Sequence, residues 1–101
     1  MTSGLRDLTD LDRIIHEPAR LMIVSLLYVS KEADFVFLQR ETKLTKGNLS
    51  SHLARLEAAG YVHIEKMFRG KLPLTLCRLT QTGRAEFESY RKTVKRALGT
   101  C

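Results

Sequence analysis

Residues 45–62 read TKGNLSSHLARLEAAGYV, and the two sides of this stretch make different demands. Leu49, Leu53 and Leu56 recur at four- and three-residue spacing, which places them in one stripe of an α-helix. Thr45 is a suitable N-cap, and Gly60 is suited to close the C-terminus, so a helix from about Lys46 to Ala59 is expected. Opposite the leucines lie Gly47, Ser51, Ala54, Arg55 and Ala58, with Asn48 beside them and Ser50 and His52 on the flanks. A merely solvated helix face usually carries long, oppositely charged pairs four residues apart. Here the face is mostly small, with hydrogen-bonding groups and one arginine. Small residues let the helix backbone approach another surface closely, and Asn, Ser and Arg can donate to base edges or phosphates. A protein partner would also accept such a face.

The segment that follows favours DNA. Tyr61–Met67 and Leu74–Leu79 read as two strands, joined through Phe68–Pro73 with Gly70 at the tip. Lys66, Arg69 and Lys71, with Arg78 nearby, make this a basic hairpin able to straddle a phosphate backbone or reach into a minor groove. Taken alone, a basic loop tip signals little. Its weight comes from following the helix directly.

Working outward, Thr9 or Asp10 can cap a short helix over Leu11–Ile15, and Pro18 fits the first turn of the next one. Leu21, Met22, Ile23, Leu26, Leu27 and Val29 cover most of that second helix, so it is expected to be central and largely buried. Phe35–Thr42 is either a short helix capped by Asp34, with Leu38 in the core, or a strand at its start. Thr80 caps a final helix, about Gln81–Leu98, which Gly99 ends. The order helix, helix, short helix, turn, helix, hairpin, helix describes a winged helix-turn-helix: mainly α with a small β-hairpin, in one domain spanning residues 1–101.

The chain has 101 residues, 44% hydrophobic and 28% charged, enough for one real core. No apolar run approaches the roughly 18 residues that cross a bilayer. The opening MTSGLRDLTDLDR has neither a basic nor an apolar leader region. A cytoplasmic, nucleoid-associated protein is therefore expected, with no membrane partner. The formal net charge is +6 and is unevenly spread: residues 1–38 carry −2, residues 39–78 carry +5 and residues 79–101 carry +3. This suits a polyanion, although a solvated basic surface would give the same totals.

The motifs LSSHLARLEAAGYV, GKLPLT and LTQTGRAEFESY, with IIHEPARLMIVSLL before them, resemble the small winged-helix transcriptional regulators of the MarR and ArsR groups over residues 11–95. The resemblance implies that Lys46–Ala59 is a recognition helix and Arg69–Lys71 a wing tip. It also implies a homodimer joined by the terminal helices. Under this reading Asn48, Ser51 and Arg55 approach bases, while Thr45, Lys46, Ser50 and His52 hold phosphates alongside Lys66, Arg69 and Lys71. On the last helix Phe87, Tyr90, Val94 and Leu98 form an apolar stripe. One such stripe can also pack on its own domain, but at about 27 Å that helix is longer than the core requires, and these four are the expected dimer contacts. A small-molecule effector, if there is one, would use the dimer cleft or an interhelical groove.

Other functions find little support. The Cys-x-Cys metal motif of ArsR sensors is absent, and His16, His52, His63, Cys77 and Cys101 show no ligand spacing, so no metal or cofactor is expected. Cys101 is terminal and expected to fray, while Cys77 is expected to be a small buried hydrophobe. Ser50, Ser51 and His52 are adjacent on a helix and do not face one another, and no paired carboxylates, phosphate loop or HExxH motif appears, so an enzyme is not expected. The remaining alternative is a winged helix that docks on a protein instead of DNA.

Overall fold

The computed structural model describes residues 3–99, and Cys101 lies outside the described residues. The chain runs α1 (Ser3–Arg6), a 3-10 turn at Asp7–Asp10, α2 (Pro18–Val29), β1 (Ala33–Asp34), α3 (Phe35–Thr42), α4 (Lys46–Ala58), β2 (Val62–Arg69), β3 (Leu72–Leu79) and α5 (Gln81–Leu98). The strands form one antiparallel sheet in the order β1-β3-β2. This is a winged helix-turn-helix, with a third, two-residue strand added to the expected hairpin.

The starts of α2 to α5 each have a local cause. Glu17 caps α2 by accepting the Arg20 N–H at 2.8 Å, and Pro18 occupies the first turn. Asp34 caps α3 through the Phe37 N–H at 2.7 Å, which settles Phe35–Thr42 as helix and leaves Ala33–Asp34 to pair with Leu76 and Cys77. Thr45 accepts the Asn48 N–H at 3.1 Å, and Thr80 accepts the Gly83 N–H at 3.0 Å. The α3–α4 turn passes through Lys43 at φ 59°, the one non-glycine residue with positive φ among those described.

The first helical segment lies earlier than expected. Instead of a helix over Leu11–Ile15, the Asp12 carboxylate accepts the N–H groups of Ile14 and Ile15 at 2.8 and 3.2 Å, forming a single capped turn. That turn buries Leu11 and Ile15, while α1 packs beside the end of α5 and Asp7 pairs with Arg96 at 3.6 Å. On α2 the buried positions are Ala19, Arg20, Ile23, Val24 and Leu27, whereas Met22 and Val29 face outward. The core is thus a 3.6-residue stripe of α2 packed against Leu38, the three leucines of α4, Val62, Cys77 and Phe87.

Helix α4 ends in a full Schellman motif. Gly60, at φ 81°, donates to the Glu57 carbonyl, and Tyr61 donates to the Leu56 carbonyl, each at 2.9 Å. The next strand and the last helix are fixed to this corner. Thr80 N–H donates to the Tyr61 carbonyl at 3.0 Å, and the Thr80 hydroxyl donates to the Gly60 carbonyl at 2.6 Å. The Tyr61 hydroxyl donates to Asp12. A β-carbon on Gly83 would stand 2.1 Å from the Tyr61 carbonyl oxygen, so the first turn of α5 lies on this corner only because residue 83 is glycine. Cys77 is fully buried, and burial, reinforced by the Asp34 and Glu57 charges, pushes its thiol up to about 11.

The Gly83→Ala substitution is expected to destabilise the fold by about 1–3 kcal/mol or more through overpacking, read as a lowered denaturation midpoint at unchanged slope. Wild-type stability for that variant would remove the close approach as a constraint.

Candidate nucleic-acid interface

The face of α4 opposite its leucines is open. Lys46, Gly47, Asn48, Ser50, Ser51, Ala54 and Arg55 are all exposed, and a β-carbon on Gly47 would meet nothing within 4 Å. Asn48, Ser51 and Arg55 share one side by their three- and four-residue spacing. Lys46 and Ser50 turn the other way, into a groove of about 690 Å³ between α3, α4 and the hairpin. Lys66, Thr75 and Pro73 close that groove from the hairpin, with Val36 and Gln39 on the α3 side and Glu57 at the far end of α4. The structure thus brings Lys46, Ser50 and Lys66 together. Sequence reasoning missed the contribution of α3 here, because Val36 and Gln39 carry no motif of their own.

The hairpin is longer and tighter than expected. Its strands pair from Val62↔Leu79 to Arg69↔Leu72, leaving only Gly70 and Lys71 as the loop. Gly70 at φ 63°, followed by a residue with negative φ, is the pattern of a type II′ turn, whose twist matches that of the strands. Arg69 and Lys71 stand exposed on either side of the turn. Arg78 lies opposite His63 near the base, and its guanidinium reaches Glu65 at 3.6 Å, so it does not join the tip. Lys46, Arg55, Lys66, Arg69 and Lys71 have no carboxylate within salt-bridge distance among the described residues, and they share this with most of the other cations.

His52 differs from its neighbours on α4. It is half-buried, with Nδ1 3.1 Å from Arg20 Nη1 and 3.9 Å from Glu17 Oε1. A guanidinium only donates, so Nδ1 accepts and the ring proton sits on Nε2. Arg20 itself is 8% exposed, and it also donates through Nε to the Ile14 carbonyl at 2.6 Å and through Nη2 to the Arg13 carbonyl at 3.4 Å. This one side chain therefore ties α2, the 12–16 turn and the recognition-helix candidate together. Glu17, held below the usual carboxylate range first by the Arg20 N–H and also by the nearby Arg20 charge, stays ionised beside it.

The α5 stripe is largely used by the protomer itself. Phe87 and Tyr90 are buried, at 6% and 8% exposure, with Phe87 against the Tyr28 ring at 5.0 Å and the Tyr90 hydroxyl 2.8 Å from His16 Nδ1. Val94 is half-buried on the same core, and Leu98 is 51% exposed. Arg84 and Arg91 stand over the Tyr28 ring, 4.8 and 5.4 Å from its centre. The spacing that suggested a dimer seam is, for its first two members, the spacing that docks α5 on α2.

Among the described residues no group of three His, Cys, Asp or Glu side chains is placed to hold a metal ion, and no helix is long and apolar enough to cross a membrane. A family model described as winged helix DNA-binding domain matches residues 19–98, from the start of α2 to the end of α5. The chain belongs to this winged helix DNA-binding family. An uncharacterised protein of Methanocaldococcus jannaschii is 34% identical over 79 residues, which is 77% of this chain and 85% of that protein. The structure of a transcriptional regulator homologue from Pyrococcus horikoshii OT3 superposes with a TM-score of 0.87 at 28% identity, over 97% of this chain and 96% of that one. A MarR family regulator from Silicibacter pomeroyi shares the fold at a TM-score of 0.65 and 21% identity, over 94% of this chain and 64% of its own. In winged-helix terms, α3 and α4 are the helix-turn-helix and β2–β3 the wing.

Arg20→Ala is expected to cost about 2–4 kcal/mol of stability, because it strands the Ile14 carbonyl and leaves His52 without its donor. Arg20→Lys is not expected to restore it, since an ammonium lacks the planar fork. Chemical denaturation checks both, and two variants as stable as wild type would reduce Arg20 to a bystander.

Proposed function

We propose that this winged-helix protein is a sequence-specific transcriptional regulator that binds duplex DNA as a homodimer on a palindromic operator. Repression by occupancy is the action that needs no further surface. The observation that carries the reading is the gathering of five cations, Lys46, Arg55, Lys66, Arg69 and Lys71, on the exposed face of α4 and the wing, none with a salt-bridge partner among the described residues. An anionic partner offers each of them a charge-assisted bond that the fold itself does not.

The roles divide by position. Asn48, Ser51 and Arg55 are the base-reading side of α4, with Arg55 suited to the paired acceptors of guanine in a major groove. Thr45, Lys46, Ser50 and Lys66 flank that side and take phosphates, while Arg69 and Lys71 engage the backbone or minor groove at the wing tip. His52, with Nδ1 committed to Arg20, has only Nε2–H to offer a phosphate. Two copies would present two such helices to half-sites about one helical turn apart. With Phe87 and Tyr90 turned inward, the seam between copies would draw on Leu98, Val94 and the open groove of about 710 Å³ between α2 and α5. The same groove is where an effector would find apolar walls.

A random duplex pool selected against the protein, followed by a salt titration on the recovered sequence, tests the reading. The affinity is expected to fall linearly on logarithmic axes with a slope of about −0.9 per phosphate neutralised, whereas a flat response would overturn it. Arg55→Ala is expected to cost about 1–3 kcal/mol of discrimination at its base pair, and unaltered discrimination would take Arg55 off the bases. Light scattering of the free protein is expected to give twice the chain mass. A monomer at concentrations that saturate the duplex would refute the homodimer.

A further inference from the structure

Three of the four phenylalanines, Phe35, Phe37 and Phe87, pack in or against the core. The fourth, Phe68, is 72% exposed near the tip of the wing, next to Arg69. Nothing in folding calls for an aromatic ring there. The strand register fixes its direction. Ile64, Lys66 and Phe68 alternate onto one face of β2, and Ile64 and Lys66 line the groove that α4 closes with Ser50 and Ala54. Phe68 therefore projects from the side of the wing turned toward the recognition helix. Its cross-strand partner is Pro73. In a two-residue hairpin this second pair is the non-hydrogen-bonded one, in which side chains approach most closely, so the ring is backed by the pyrrolidine.

We propose that Phe68 is an apolar wedge that the wing inserts between base pairs from the minor groove, so that the protein selects duplexes that unstack easily at that step. The proposal rests on the DNA-binding reading and adds a mode of recognition to it. The occupant is DNA because of what surrounds the ring. Lys66, Arg69 and Lys71 frame it without a carboxylate partner among the described residues, and a two-residue turn leaves the tip narrow. Cations position such a tip on phosphates, and an inserted aromatic ring then kinks the duplex, most readily at pyrimidine–purine steps. Recognition would thus extend to a step that α4 never touches.

The test uses the duplex recovered from the random pool, end-labelled for energy transfer, with the full-length chain. The wild type is expected to bend this duplex. Phe68→Ala is expected to bind it about tenfold more weakly and without the bend, but with an unchanged salt slope, because no charge is removed. Phe68→Leu, which keeps a wedge, is expected to retain the bend. Phe68→Ala binding and bending like the wild type would overturn the proposal while leaving the regulator reading intact. A wild type that binds no duplex in a salt-dependent way would overturn both. Conversion of the free protein from dimer to monomer by Phe68→Ala would overturn the wedge and assign the ring to a protein contact.

Discussion

The corner at Gly60–Tyr61 governs how every functional element is placed. Helix α4 ends there, β2 leaves from it, and β3 returns to it when Thr80 bonds the Tyr61 and Gly60 carbonyls. Helix α5 starts on top of it across a bare glycine, and Tyr61 reaches over to Asp12 in the capped turn before α2. The angle between α4 and the wing is therefore not left to a loop. It follows from hydrogen bonds to two consecutive carbonyls and from one missing methyl group. Burial, together with the Asp12 contact, raises the Tyr61 hydroxyl above its ordinary range.

Arg20 does comparable work from underneath. A guanidinium at 8% exposure is costly unless its donors are satisfied, and here two backbone carbonyls and an imidazole take them while Glu17 supplies the opposite charge nearby. The cost is offset by geometry, since the fork holds α4 by His52 at a fixed depth against α2. The outward face of α4 can then be small and polar, because its position does not depend on contacts made from that side.

Much of this was legible. The leucine spacing, Thr45 and Gly60 mark α4 to within a residue of its observed end, and Pro18, Asp34 and Thr80 mark the starts of α2, α3 and α5, whereas α1 was not marked. What was hidden lay in longer-range geometry. Pro73 looks like a loop residue, yet it pairs with Phe68 inside the hairpin, because at a non-hydrogen-bonded position its missing N–H is not required by β2. A two-residue strand such as β1 has too few positions to show alternation. Arg20 reads as a solvated charge in an apolar helix, since two of its partners are carbonyls that no side-chain pattern reveals. Phe87 and Tyr90 satisfy the spacing of a dimer seam and of a core stripe equally well. Only the placement of Tyr28 and His16 separates the two.

The sheet order leaves β2 as a free edge eight residues long, ordinarily an invitation to strand-by-strand aggregation. Here the strand carries Glu65, Lys66 and Arg69, so an incoming copy laid parallel and in register would set Glu65 on Glu65, Lys66 on Lys66 and Arg69 on Arg69. That arrangement is thereby disfavoured, although among the described residues no other strand pairs with this edge. The side chains that make the hairpin basic thus also work against one way in which copies of this domain could stack edge to edge.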